Sequence, residues 1–270
     1  RPGAPALLLL HALGASLEMW DDQFQALSER FELIRFDARG HGKSTSGAPP
    51  GSHHEATMDM LATDALNVLD ACGVARAHIC GLSLGGMVAM HVATKWPDRV
   101  LKAALCNTSP YMPPRDNWET RIQTVMAQGT VALAEATLGR WFTPQFHQEQ
   151  PEKVQRIRAM LLETSREGYT ACCAAIPDMD QRESIRNITA KTLVIGGTQD
   201  PGTTPADHEL IAASIPGAQL VMLEAGHLLH IGRQQEFTEA LLQFLAALNL
   251  RSNSTREVRR DRLHSQSLSP

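Results

Sequence analysis

Two periods run through the apolar residues of this chain. Residues 6–10, 77–80, 100–106, 192–195 and 220–223 are short apolar runs, each interrupted by at most one polar side chain. Runs of that length, apolar on both faces, predict strands buried inside a parallel sheet. Residues 31–36 alternate and predict a further strand. Between these runs the spacing becomes helical. Trp20, Phe24 and Leu27 share one face, as do Leu61, Ala65, Val68, Leu69 and Cys72 within 56–72, where Gly73 is placed to cap the helix. Helices are also expected from residue 86 to a stop at Pro97, over about 205–214, and over 237–248 with Leu241, Phe244 and Leu245 facing inward. Strand and helix alternate with short connections. The fold class is therefore α/β, a mostly parallel sheet with helices on both faces.

The alternation stops near residue 108. Residues 109–118 are rich in proline and turn formers, and from 118 to about 182 only helical patterns occur, such as Val154, Ile157, Met160 and Leu161. The expected organisation is a first part of the core over 1–110, a helical cap over 111–187, a second part of the core over 188–249 and a polar, disordered tail over 250–270. Proline marks a surface turn at 47–51. The apolar run after Arg1 is short for a signal peptide, so a core strand is expected there, with an N-terminal piece missing ahead of it.

A net charge of −4 argues against nucleic acid or an anionic membrane surface as a partner, and no apolar run approaches a membrane span. Five cysteines, odd in number and without a C-x-x-C, are expected to be packed thiols of a reducing compartment, which places the protein in the cytoplasm. The pairs His53-His54 and His227/His230 lack any accompanying metal framework, so neither a metal nor another cofactor is expected. The glycine-rich loop from Asp37 to Ser44 lacks phosphate-loop spacing.

The candidate chemistry lies where strands end. Gly81-Leu82-Ser83-Leu84-Gly85-Gly86 is a G-x-S-x-G sequence between a strand run and a helical run. A serine on so sharp a turn stands clear of the sheet, and the glycines make room for crowded backbone. The serine needs a base to take its proton and a third group to orient that base. Asp200, in the loop after 192–196, and His227, in the loop after 220–223, supply these in the order Ser, acid, His. The place after the 100–106 strand, where an acid would also serve, holds Asn107, which has no carboxylate. The expected oxyanion donors are the backbone N–H groups of Leu84, next to the serine, and Leu13, in the loop after the first strand. His11 is expected to steady that loop and is grouped with the substrate-binding residues.

These stretches carry a resemblance. They include His11-Ala12-Leu13-Gly14 with Met19-Trp20-Asp21, Arg35 through Gly42, Cys80 through Met87, and Cys106-Asn107-Thr108. Arg140-Trp141-Phe142-Thr143, Gly168-Tyr169, Cys173 through Ile176, Gly197 through Pro201 and Ala225 through Leu228 extend it over almost the whole chain. The sequence resembles the α/β-hydrolase fold and, within it, the 3-oxoadipate enol-lactonases. The resemblance implies a serine hydrolase that opens 3-oxoadipate enol-lactone to 3-oxoadipate through an acyl-enzyme, in aromatic-compound breakdown by the β-ketoadipate pathway. It implies a small-molecule lactone or ester as partner, and a cation in the cap for the substrate carboxylate: Arg140, with Trp141 as pocket wall. A carboxylesterase or another lactonase would use the same machinery, and a non-catalytic small-molecule binding protein of this fold would be expected to have lost part of it. The chain departs from the family at two places. It has His11-Ala12-Leu13-Gly14 where Asn-Ser-Leu-Gly is usual, and Leu229-His230 where Ser-Asn is usual. Oligomeric state is left open.

Overall fold

A computed structural model describes residues 3–47 and 55–246. The tail expected at 250–270, the turn around Pro49-Pro50, the His53-His54 pair and the expected end of the last helix lie outside the described residues. Six strands form one all-parallel sheet: β1 (Ala6–Leu10), β2 (Glu32–Arg35), β3 (Ala77–Leu82), β4 (Val100–Cys106), β5 (Lys191–Gly197) and β6 (Gln219–Leu223). Their spatial order is β2-β1-β3-β4-β5-β6. The apolar runs become β1, β3, β4 and β5, buried along nearly their whole length, and β6, which is only partly covered because it lies at the sheet edge. The chain goes from β1 out to the edge at β2 and returns to β3 on the other side of β1. At such a reversal the loops after the two inner strands part and leave a crevice at their carboxyl ends.

Helices α1 (Asp21–Ser28), α2 (Met58–Ala71) and α3 (Leu84–Lys95) connect the first four strands. Between β4 and β5 the chain makes five helices and no strand: α4 (Arg115–Gln128), α5 (Ala134–Trp141), α6 (Pro144–Glu149), α7 (Pro151–Glu163) and α8 (Arg166–Ala174). Helices α9 (Pro205–Ser214), α10 (Leu229–Gly232) and α11 (Gln234–Ala246) complete the described chain. Helix α1 packs with α11, and α3 packs with α2, β3 and β4. Among the described residues no helix is long and apolar enough to cross a membrane.

Two expected faces are wrong. Phe24 is 44% exposed, under the Arg35 guanidinium, and Gln23 takes the buried place, its Nε2 donating to the His230 carbonyl at 2.6 Å. The turn ahead of α1, Leu17–Trp20, is a 3-10 helix with three residues per turn, so the face begun by Trp20 continues through Gln23 to Leu27. Cys72 is exposed, because α2 ends at Ala71 and Gly73, at φ +69°, turns the chain away; the buried stripe is Leu61, Ala62, Ala65, Leu66 and Leu69. The other four cysteines are buried and none of them forms a disulfide among the described residues. Helix α11 begins at Gln234, a turn before the expected start at 237.

Among the described residues, several contacts fasten the helical block to the rest of the core. Asp22 of α1 pairs with Lys153 at 3.2 Å and Arg156 at 3.0 Å, both on α7. The Gly40 carbonyl accepts from Ser165 N at 3.2 Å and Oγ at 3.0 Å, where Gly168 of α8 meets Gly40 backbone to backbone. At the end of α5 the Arg140 and Trp141 carbonyls accept from His227 N at 3.4 Å and Leu228 N at 3.1 Å.

Candidate active site

Ser83 joins β3 to α3 at φ 58°, ψ −118°. A non-glycine residue there costs about 1–3 kcal/mol of backbone strain and persists only where its surroundings hold it. Here Ser83 N donates to the Cys106 carbonyl at 3.0 Å, and the Ser83 carbonyl accepts from Thr108 Oγ1 at 2.8 Å and Met87 N at 3.0 Å. The glycines of the motif are required by close approach. A Cβ on Gly81 would collide with the Gly85 carbonyl, one on Gly85 with the Leu10 carbonyl, and one on Gly86 with the Thr108 side chain.

The loop after β1 approaches from the other side of the crevice. Ala12 N donates to Met19 Sδ, Gly14 N to His41 Nε2 at 3.0 Å and Ala15 N to the Ala12 carbonyl. Those bonds leave the Leu13 N–H, and the first N–H of α3 at Leu84 has no acceptor within its helix. His11 is not among the residues that line the cavity at Ser83. Its ring holds the loop instead. Nδ1 donates to the Ala12 carbonyl at 2.8 Å and Nε2 accepts from Ala38 N at 2.8 Å. Burial lowers its pKa, which keeps Nε2 an acceptor.

Asp200 follows β5 and His227 follows β6, and the two meet. His227 Nδ1 donates to Asp200 Oδ2 at 2.6 Å. Thr203 Oγ1 donates to the same oxygen at 2.6 Å, and Gly202 N donates to Oδ1 at 2.8 Å. Burial pushes the Asp200 carboxyl up, but His227, Thr203 and Gly202 outweigh it and hold it below the usual carboxylate range. The His227 ring is thus held in one tautomer, with its proton on Nδ1. His230 is turned away, its Nε2 on the Met19 carbonyl at 3.0 Å. Among the described residues no three His, Cys, Asp or Glu side chains gather as a metal set.

Asn107, which the sequence offered only as a missing acid, joins these loops. It is fully buried at φ 35° at the end of β4. Its Nδ2 donates to the Gly226 carbonyl at 2.9 Å and the His227 carbonyl at 2.7 Å, and its Oδ1 accepts from Gly197 N at 2.6 Å.

Ser83, Asp200 and His227 line one cavity of about 280 Å³, together with Leu13, Met87 and Ile176. Much of its remaining wall comes from the helical block. Arg140 and Trp141 line it, and so do Arg121 and Tyr169. Arg121 went unnoticed in the sequence because nothing there sets it apart from other cap arginines; its one sign is the spacing Trp118-x-x-Arg121, which stacks the guanidinium 5.0 Å from the indole.

Residues 5–234 match the family model described as the alpha/beta hydrolase fold. The chain is 34% identical over 245 residues to 3-oxoadipate enol-lactonase 2 of Acinetobacter baylyi, covering 91% of this chain and 90% of that one. The crystal structure of the enol-lactonase from Burkholderia xenovorans LB400 superposes with a TM-score of 0.87 at 38% identity, over 91% of this chain and 92% of that one. A thermophilic esterase from Thermogutta terrifontis, solved with malate bound, gives a TM-score of 0.82 at 28% identity, over 90% of this chain and 89% of that one.

Proposed function

The chain belongs to the α/β-hydrolase family, and from that premise we propose that it is a serine hydrolase that opens 3-oxoadipate enol-lactone to 3-oxoadipate. The observation that carries the reading is the Asp200–His227 hydrogen bond of 2.6 Å in the wall of the cavity that Ser83 also lines. The enol-lactonases of A. baylyi and B. xenovorans support the choice of substrate.

In this reading Ser83 Oγ attacks the lactone carbonyl as His227 Nε2 takes its proton. Asp200 fixes the ring and stabilises the imidazolium. The N–H groups of Leu13 and Leu84 hold the tetrahedral oxyanion, and loss of one such donor costs about 3–4 kcal/mol of transition-state stabilisation. Collapse breaks the ring C–O bond. The leaving oxygen departs as an enolate and takes the proton from His227, and the resulting enol becomes the ketone by losing the O–H proton as carbon gains one. Water then attacks the acyl-enzyme as His227 takes its proton, and Ser83 is released with the new carboxylate. The helical block over 111–187 acts as the cap, with Trp141 as a wall and Arg140 toward the substrate carboxylate. Buried cysteines that form no disulfide among the described residues support a cytoplasmic location.

A fluorophosphonate probe tests this. It should label the native protein at Ser83, mapped by peptide mass, and fail on the urea-unfolded protein. A native protein that takes no label at Ser83 would overturn the enzyme reading.

A further inference from the structure

His230 is a buried histidine that the reaction does not use. It stands on α10, just beyond His227, and is fully buried. Its Nε2 faces the Met19 carbonyl at 3.0 Å. A carbonyl can only accept, so the ring proton is on Nε2 and Nε2 donates. Burial takes the pKa to about 3, so the ring stays neutral and keeps that one proton around neutral pH. A second bond runs the opposite way. Gln23 Nε2, on α1, donates to the His230 carbonyl at 2.6 Å. Together the two bonds clasp α10 to the turn that precedes α1. The His230 ring packs between Trp20, at 4.7 Å between ring centroids, and Phe237, at 5.9 Å.

Met19 carries the constraint onward. Its Sδ accepts from Ala12 N at 3.4 Å. The Ala12 carbonyl accepts from His11 Nδ1 at 2.8 Å and Ala15 N at 3.1 Å. That carbonyl shares one planar peptide with the Leu13 N–H, so whatever fixes Ala12 also aims Leu13 N–H. The loop after β1 and the loop after β6 need such a link. Strands β3, β4 and β5 stand between β1 and β6, so no backbone ladder joins them. An oxyanion donor and a base that act on one carbonyl must nevertheless keep their spacing, and a misplacement of about 1 Å can cost about 10²-fold in rate.

We propose that His230 is a positioning residue which, through Met19, holds the Ala12–Leu13 peptide in register with His227, so that the oxyanion donor and the base meet the same carbonyl group. The proposal rests on the hydrolase reading of the cavity.

Two measurements test it. The first is hydrolysis of 4-nitrophenyl acetate. His230→Phe keeps a ring against Trp20 and Phe237 but loses the donor; kcat should fall at least about tenfold, with KM within about threefold of wild type. His230→Gln, which restores an N–H donor at a similar reach, should recover most of kcat. Met19→Leu keeps the carbonyl and removes the sulfur acceptor; it should also lower kcat, and joined to His230→Phe it should add little further loss. The acid limb of kcat/KM against pH should stay in place in every variant. Equal losses in His230→Phe and His230→Gln, additive losses in the double variant, or a shifted acid limb would overturn the proposal. The second measurement is amide hydrogen exchange. Peptides covering residues 11–16 should exchange faster in His230→Phe and not in His230→Gln, while those covering 100–106 stay unchanged. If His230→Phe does not fold, Met19→Leu decides, and unchanged kcat with unchanged exchange at 11–16 overturns the proposal. A wild type that cleaves no ester, while exchange at 11–16 still responds to His230→Phe, would contradict the hydrolase reading and leave the link standing.

Discussion

Asn107 carries no charge and touches no reacting atom, yet one side chain binds the ends of β4 and β5 to the loop of His227. Replacing it with alanine strips a partner from Gly197 N–H and from the Gly226 and His227 carbonyls, all buried. Each orphaned group costs about 1–3 kcal/mol. Asn107→Ala is expected to lose roughly 2–4 kcal/mol in urea unfolding and to lower kcat by loosening His227. Unchanged kcat in a folded variant would remove its positioning role. Asp200→Asn should keep the fold but present the wrong tautomer of His227, with kcat falling by about 10⁴, the scale seen when a triad acid is so replaced. That Ser83, Asp200 and His227 come to one cavity was legible because each stands in a glycine-containing loop directly after an apolar run. Asn107 was not, because its partners are backbone atoms of two distant loops and the sequence showed only that a carboxylate was absent.

The seam between the helical block and the sheet is as exacting as the elbow. A Cβ on Gly168 would land on the Gly40 backbone, so Gly168→Ala must push α8 away and shift Tyr169, the next residue, from the cavity wall. We expect a loss of about 1–3 kcal/mol and a fall in kcat/KM, measured by urea midpoint and ester hydrolysis. Gly139, inside α5, is the contrast: a Cβ there meets nothing within 4 Å. Gly139→Ala should stabilise the protein by about 0.5–1 kcal/mol through helix propensity alone. Strands were read to within two residues because the four inner ones, buried on both faces, leave continuous apolar runs. The reading failed where a 3-10 turn shifts the phase, at Phe24, and where a cap ends the helix, at Cys72. That Arg121 reaches the cavity was not legible, since α4 shows little amphipathic pattern and places Arg121 by packing across α8.

The molecule as a whole buries histidines in uncharged form. Burial lowers the pKa of His11, takes His41 and His230 to about 3, and takes His78 and His208 to about 4. In the unfolded chain each titrates near 6.5. Below that pH the unfolded state binds more protons than the folded one, so stability falls as pH falls, down to about 4 for two of them and about 3 for two others. Each contributes a slope of about 1.4 kcal/mol per pH unit. Asp22 and Asp200, both with lowered pKa, add loss in the same direction in the acid range. Unfolding free energies from urea titrations at pH 7.5, 6 and 5 should drop steeply below pH 6.5, and a flat profile would contradict neutral buried rings. The count of histidines says nothing of this; only the fold puts His41 against Gly14 and His230 under Trp20.

The most direct measurement of the central claim is the loss of enol-lactone ultraviolet absorbance on adding purified protein, with Ser83→Ala alongside and a simple aryl acetate as comparison. The account predicts rapid lactone turnover by the wild type, a fall of at least about 10³-fold in the variant, and slower cleavage of the neutral ester. Fast ester cleavage with no lactone turnover, or lactone turnover that survives Ser83→Ala, would contradict it.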